Sequence, residues 1–351
     1  MKKLLFALMF FALALNAGQI SFKDQDGNTV KLNEPAKRVA MFPIPLASFS
    51  MAVDNGNSRL VTINPVAKRA LSEHILGRIF PDALNLSTNG IGADFTPNVE
   101  ELIKLKPDFV MQWGHAGSDI VEPLRKAGVN LAIINYRGNE QNTLEWFNIL
   151  SHAYDQKARV DEILEHRKNI RERVQNYAAK LAKSGAKTPK ILSFLGRAKG
   201  YQANGDGTYQ HYMIKLIGAQ NAVNFKGSKI LSAEQIIASK PDIIILSSFD
   251  ELTPKDLYEN MLFKNTPAIK NKRVYKIPFG GDRWELPTAE SHLAWLWFGA
   301  LAYGADFKAE FDLINEMKSS YKLLYNYELN GSDIDEILCV PYNKISNGYE
   351  F

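Results

Sequence analysis

Polar capping residues, then helically spaced apolar ones, then an unbroken apolar run occur in that order twice along the chain. The first copy runs from Asn98 to Met111 and the second from Ser232 to Ile245, about 134 residues later. Asn98 and Ser232 suit a helix N-cap, and Glu101 and Gln235 stand three residues on, the spacing of a capping box. Leu102 and Ile236 mark the buried side of a short helix. Pro107 and Pro241 stop it, because proline disfavours helical geometry in the residue before it. Phe109-Val-Met and Ile243-Ile-Ile-Leu then read as strands buried on both faces. Helix, tight turn, parallel strand, repeated at this distance, predicts two α/β lobes of similar build; the period is far too long for a solenoid.

The rest of the pattern falls around these copies. Gln19 to Val30 predicts a hairpin with Asp26-Gly27 at its turn. Arg38 to Phe42 and Leu60 to Asn64 read as strands, with a helical piece from Lys68 to Ile79. A helix at Ser118 to Ala127 and a strand at Leu131 to Asn135 complete the first lobe. Between residues 143 and 184 no strand signal occurs. Val160, Ile163, Ile170, Val174, Tyr177 and Leu181 recur at helical spacing and predict one long helix, roughly Lys157 to Lys183, bridging the lobes. The second lobe starts at Pro189, with strands at Ile191 to Leu195 and Arg273 to Ile277 and a helix at His211 to Ile217. Ser291 to Tyr303 is nearly all apolar and predicts a buried helix, and residues 310 to 329 a closing one. The division expected is therefore a leader at 1–17, an N-terminal lobe at 18–150, a linking helix at 151–186, a C-terminal lobe at 187–330 and a weakly ordered tail at 331–351.

Composition narrows the classes. A hydrophobic content of 46% and a charged content of 23% over 351 residues are those of an ordinary globular protein. Lys2 and Lys3, the apolar stretch Leu4 to Leu15 and Ala17 form a secretory leader. Its removal lowers the formal charge from +4 to +2, too little to argue for nucleic acid. No cysteine follows the expected cut, which points to an untethered periplasmic protein rather than a lipoprotein. Cys339 is the single cysteine, so an intrachain disulfide is excluded.

Catalytic signatures are sparse. The cysteine count excludes cysteine-rich metal sites and iron–sulfur clusters. The six histidines lack metal-ligand spacing, and no P-loop, dinucleotide loop or nucleophile elbow occurs. The expectation is a binding protein, not an enzyme, with no resident cofactor. A secreted enzyme using Asp282 and His115 is the alternative. Candidate ligand residues lie where strands end, since open α/β sheets bind ligands beyond their carboxyl ends. In lobe one these are Pro43 to Ser48, Trp113, His115, Tyr136 and Arg137. In lobe two they are Arg197, Tyr201, Ser247, Ser248, Asp282, Arg283, Trp284 and Glu285. Three arginines and several aromatics suit a bulky anionic ligand. Each also has a plainer reading: Trp113 and Trp284 as wall packing, His115 as a structurally satisfied imidazole, and Glu100 and Glu234 as first-turn acids favoured by the helix dipole.

Five segments together resemble the periplasmic binding proteins of ABC importers for iron–siderophores, haem and cobalamin. They are Asp26-Gly27 with Pro35-Ala-Lys-Arg38, Asn98-Val-Glu100 with Lys106-Pro107-Asp108, Gly218 to Ala222, Glu234 with Lys240-Pro241-Asp242, and Tyr325 to Leu329. The resemblance covers roughly residues 20 to 338. It implies two Rossmann-like α/β lobes with parallel sheets, joined by one long backbone helix, and a ligand in a shallow cleft. It further implies a monomer working with an inner-membrane ABC permease and its ATPase. Glu100 and Glu234 would dock on that permease by charge pairing. The ligand implied is a metal chelate, a ferric siderophore first, with haem, cobalamin, a nickel chelate or an oxyanion such as molybdate as alternatives.

Overall fold

A computed structural model of the chain describes residues 19–196 and 200–351 and the backbone of Arg197. The expected leader at 1–17 lies outside the described residues. Strands β1 (Ile20–Lys23) and β2 (Thr29–Leu32) form the predicted hairpin. Asp24 ties its turn together, accepting from the backbone N–H of Asn28 at 2.8 Å and from that of Ile133 at 3.0 Å.

Lobe one is a four-stranded parallel sheet of β3 (Val39–Met41), β4 (Leu60–Ile63), β5 (Phe109–Trp113) and β6 (Leu131–Ile134), in the order β4-β3-β5-β6. The chain steps from β3 to one neighbour and returns to its other side, so a crevice opens between the carboxyl ends of β3 and β5. Lobe two contains β7 (Lys190–Arg197), β8 (Gly200–Asn204), β9 (Gln220–Asn221), β10 (Ser228–Leu231), β11 (Ile243–Leu246) and β12 (Val274–Lys276). Its order is β10-β8-β7-β11-β12, with β9 beside the start of β7. The expectation of parallel sheets needs correction here, because β8 runs against its neighbours β7 and β10. Only two residues of sequence separate the end of β7 from the start of β8, too few for the crossover a parallel pair requires.

The linking helix spans Lys157–Ser184, about 42 Å at the usual rise. Val160, Ile163, Ile170, Val174 and Tyr177 form its buried stripe. Arg167 lies on the same stripe and is buried with Glu140, to which it donates from Nε at 3.1 Å and Nη2 at 2.9 Å. It also donates to the Ala289 carbonyl at 2.9 Å and to His292 Nδ1 at 2.8 Å. A buried guanidinium with this many acceptors is compensated for its desolvation, and it joins the helix to both lobes. Two further contacts cross between the lobes. The Tyr209 N–H donates to Tyr136 Oη at 2.7 Å. Gly138 (φ 66°) presses so close to the second lobe that a Cβ there would stand 2.0 Å from the Gly207 carbonyl oxygen.

The residues after 330, expected as a weakly ordered tail, instead form two short helices, Gly331–Ile337 and Val340–Asn343. Ile334, Ile337 and Leu338 supply an apolar face at helical spacing and are buried. Asn343 clasps β12 in both directions, accepting from Lys276 N at 2.7 Å and donating to its carbonyl at 2.9 Å. Arg78 of lobe one pairs with Asp333 at 3.2 Å and Glu336 at 3.0 Å.

Candidate functional site

Both repeat copies fold as predicted, with helices at Val99–Leu105 and Ala233–Ser239. Each helix ends on a lysine in the left-handed region, Lys106 at φ 47° and Lys240 at φ 49°, before its proline. The aspartate that follows pins the start of the next strand. Asp108 accepts from the backbone N–H groups of Lys37 and Arg38, at 2.8 and 3.0 Å. Asp242 accepts from that of Lys190 at 2.9 Å. Because the turn reverses the chain, the first helical turn lies at the carboxyl end of the strand that follows. Glu100 and Glu234 are therefore exposed on the same side of their lobes as the cleft.

Facing one another at that end is a column of flat groups. The His74 ring stacks on Phe279 with centroids 3.4 Å apart and planes 24° apart. On lobe two the Arg283 guanidinium lies 4.6 Å from the Phe279 centroid and 4.3 Å from that of Phe249. Arg283 is only 7% exposed, and its Nε and Nη1 hydrogens have no acceptor among the described residues. Stacking covers the faces of the guanidinium but leaves its N–H edge unsatisfied. Each buried unmade bond of this kind forfeits about 1–3 kcal/mol. Burial, reinforced by the Arg283 and Arg78 cations, pushes the His74 imidazole down to about 4. It is neutral at neutral pH and keeps a nitrogen lone pair.

The turn that presents Arg283 is tightly backed. Phe279 and Arg283 bridge across it, and a Cβ at Gly280 would stand 2.2 Å from Tyr321 Oη. The Gly281 N–H donates to Tyr321 Oη at 3.0 Å and the Asp282 N–H to Glu290 Oε1 at 2.8 Å. Burial pushes Asp282 up to about 6 and Glu290 up to about 7. Beside the turn, at the crevice between β7 and β11, lies a hollow of about 320 Å³. It is lined by Leu195, Gln202, Asn204, Gln210, Ser247, Phe249 and Glu285. Glu285 is buried and accepts from Ser247 Oγ at 2.7 Å, Ser248 N at 2.7 Å and Ser248 Oγ at 2.6 Å. Both hydroxyl hydrogens are thus committed to the carboxylate. This wall is rich in side-chain amides and oxygens.

The other expected residues are distributed unevenly. Trp113 ends β5 and is 8% exposed, its ring edge-on to His115 at 4.8 Å and to Trp146 at 5.5 Å; His115 itself is exposed. Tyr136 spends its hydroxyl on the contact to Tyr209, and burial pushes that hydroxyl up to about 12. Arg137 is exposed and pairs with Glu145 at 2.9 Å. Tyr201 turns into lobe two, its ring edge-on to Phe194 and Phe263. Trp284 is fully buried in the core, so its place is packing. The Arg197 side chain lies outside the described residues. Asp282 and His115 share no hydrogen bond; the Asp282 carboxylate turns back to the Arg283 N–H at 2.7 Å. His74, Phe249 and Phe279 were not among the expected ligand residues. Phe249 and Phe279 follow β11 and β12 closely, so the strand-end rule reaches them, whereas His74 sits in a break between two helices that periodicity does not mark.

A family model described as periplasmic binding protein matches residues 63–279. The chain belongs to that family. Its members are transport binding proteins rather than enzymes. Among relatives, the high-affinity heme uptake system protein IsdE of Staphylococcus aureus is 26% identical over 205 residues, spanning 54% of this chain and 67% of IsdE. A periplasmic solute binding protein from Veillonella parvula superposes with a TM-score of 0.79 at 29% identity, over 92% of this chain and 98% of the other. Helicobacter pylori CeuE with Ni(II) bound superposes with a TM-score of 0.71 at 20% identity, over 91% and 99%, a likeness of fold alone. The solved structures on which the chain superposes are two-lobed periplasmic binding proteins.

Proposed function

We propose that this protein is the soluble receptor of an ABC importer and that its cargo is a metal chelate with anionic oxygens, a ferric siderophore first among them. The observation that carries the reading is Arg283, a buried guanidinium held between two rings, with N–H groups unmet among the described residues. Carboxylate, catecholate or hydroxamate oxygens match that fork. Among the described residues no three His, Cys, Asp or Glu side chains converge, so a cation held here brings most of its own ligands. His74 offers a neutral nitrogen beside them. The polar wall of Gln202, Asn204 and Gln210 suits a hydrogen-bonding chelate.

Haem is the second reading, favoured by the likeness to IsdE and by the Phe249 and Phe279 rings that flank Arg283. Tryptophan fluorescence of ligand-free protein, titrated with a ferric catecholate, a ferric hydroxamate, haem and molybdate, separates them. A ferric chelate should quench the signal at stoichiometric loading, and R283Q should weaken binding by about 30-fold, the roughly 2 kcal/mol of a charge-assisted pair. R283K keeps the charge but loses the fork, and should recover only part of the affinity. Selective binding of haem would replace the first reading by the second. Binding of no metal complex would overturn both.

A further inference from the structure

We propose that Glu290 and Asp282 position the turn bearing Arg283, and that this pair takes up a proton when an anionic chelate is captured, so that binding tightens as the medium acidifies. The inference rests on the receptor reading above. Glu290 stands two residues before the buried helix His292–Tyr303 and is fixed to its start, its carbonyl accepting from the Leu293 N–H at 2.9 Å. Its carboxylate is fully buried and reaches under the turn. A Cβ at Gly280 would stand 2.6 Å from Oε2, and one at Gly281 would stand 2.9 Å from Oε1 and 2.8 Å from Leu76 of lobe one. The two glycines thus let the turn close on a carboxylate and a leucine together. Oε1 accepts from the Asp282 N–H at 2.8 Å, and Oε2 has no hydrogen-bond partner among the described residues. The Asp282 carboxylate is buried too and accepts from the Arg283 N–H at 2.7 Å. Two buried carboxylates therefore bear on one turn, within a residue of the guanidinium that meets the ligand.

Buried acids favour their neutral form, and a like charge nearby favours it further. Burial is what lifts both groups here. The Asp282 carboxylate adds to the rise of Glu290, while the Arg283 cation opposes that of Asp282. The groups around the pair keep their charge between about pH 5.5 and 8. Tyr321 and Tyr325, on the closing helix Leu313–Tyr325, are pushed well above the phenol range by burial and stay neutral. His74, stacked on Phe279, is neutral. Arg78 and Arg167 remain cations. Glu285 is held by Ser247 and Ser248. An anionic chelate on Arg283 adds negative charge beside Asp282 and Glu290 and raises both acids further. By linkage, the protonated pair binds the chelate more tightly. Protonation leaves the clamp in place, because a neutral carboxyl still offers its carbonyl oxygen to the Asp282 N–H.

Calorimetric titration of the full receptor with a ferric tris-catecholate, or with haem if that is the cargo selected above, tests this. Buffers of different ionisation enthalpy let it read affinity and proton uptake together. Wild type should bind about tenfold more tightly at pH 5.5 than at pH 8, taking up as much as about one proton per chelate near pH 7. The chelate is the same throughout, so its own titration cancels between variants. D282N and E290Q should each bind more tightly than wild type at pH 8 and take up less proton. E290A should bind more weakly than E290Q at every pH, since both are neutral and only E290Q keeps the oxygen that holds Asp282. A second readout needs no ligand. An acid raised from 4.5 to about 7 by burial lets stability fall as pH rises between those values. E290Q should therefore be more stable than wild type at pH 8 and no more stable at about pH 4. Should E290Q not fold, D282N leaves the Glu290 clamp in place and carries the same comparison. Wild-type proton uptake and pH slope in the neutral variants would overturn the linkage, and equal affinities of E290A and E290Q the positioning, with the receptor reading intact in both cases. Binding of neither probe by wild type at any pH would overturn the receptor reading and this inference with it.

Discussion

The two helix–turn–strand copies are alike inside and different outside. Within each, the cap, the left-handed lysine, the proline and the strand-pinning aspartate do the same work. On the surface they part. In lobe one Lys104 draws both Glu100 and Glu101, at 3.1 and 2.6 Å. In lobe two Ala238 occupies the equivalent place, and Glu234 has no ion-pair partner among the described residues. Glu101 is thereby taken from its capping role, and only the second copy closes a full capping box, Ser232 with Gln235. What recurs is what the turn needs; what varies is what the outside meets.

Three pairs of substitutions bear on that contrast. The largest effect should come from the aspartates. D108A strips acceptors from two backbone N–H groups and should cost about 2 kcal/mol, against about 1 kcal/mol for D242A, which strips one. Urea denaturation of the two variants measures the difference, and equal losses would break the idea that the first pin carries more. Next are the surface charges. K104A should free Glu100 and A238K should mask Glu234, shifting permease affinity two- to fivefold in opposite directions, within the ~1 kcal/mol of exposed pairs. Shifts of the same sign would show that the pairing in lobe one is irrelevant to docking. The smallest effect belongs to the caps. Q235A should lower stability by about 0.5 kcal/mol and E101A by less, a difference that amide exchange in the two helices can resolve.

Much of the fold was legible because the repeat is governed by local chemistry. Caps, proline stops and apolar runs act over a few residues, and the periodicity of Val160 to Tyr177 announces the long helix. The order of the tail is not legible in the sequence, because its apolar face, Ile334, Ile337 and Leu338, is only two turns long and acquires meaning when β12 offers Asn343 its backbone. β8 was missed because its polar residues, Gln202 and Asn204, face a hollow rather than a core. In the site, Arg283 was legible from its place beyond a strand, and Trp284 beside it shows the limit of that rule, since one step along the chain reverses the side. His74 was invisible because its neighbours, Phe279 and Arg283, lie some two hundred residues away in the chain.

The tight approach of Gly138 to Gly207, with the Tyr136 hydrogen bond and the Arg167 network, leaves little slack between the lobes. A molecule built this way behaves less like a jaw than like a stiff bracket. Little of the energy of capture is spent on drawing the halves together, so recognition depends on how well the cleft is already shaped. The same stiffness works against release. A ligand held there would not escape by idle breathing of the lobes, and unloading would require leverage applied from outside, at points far enough apart to pry. Glu100 and Glu234, one on each arm of the bracket, are placed where such a pull would find purchase.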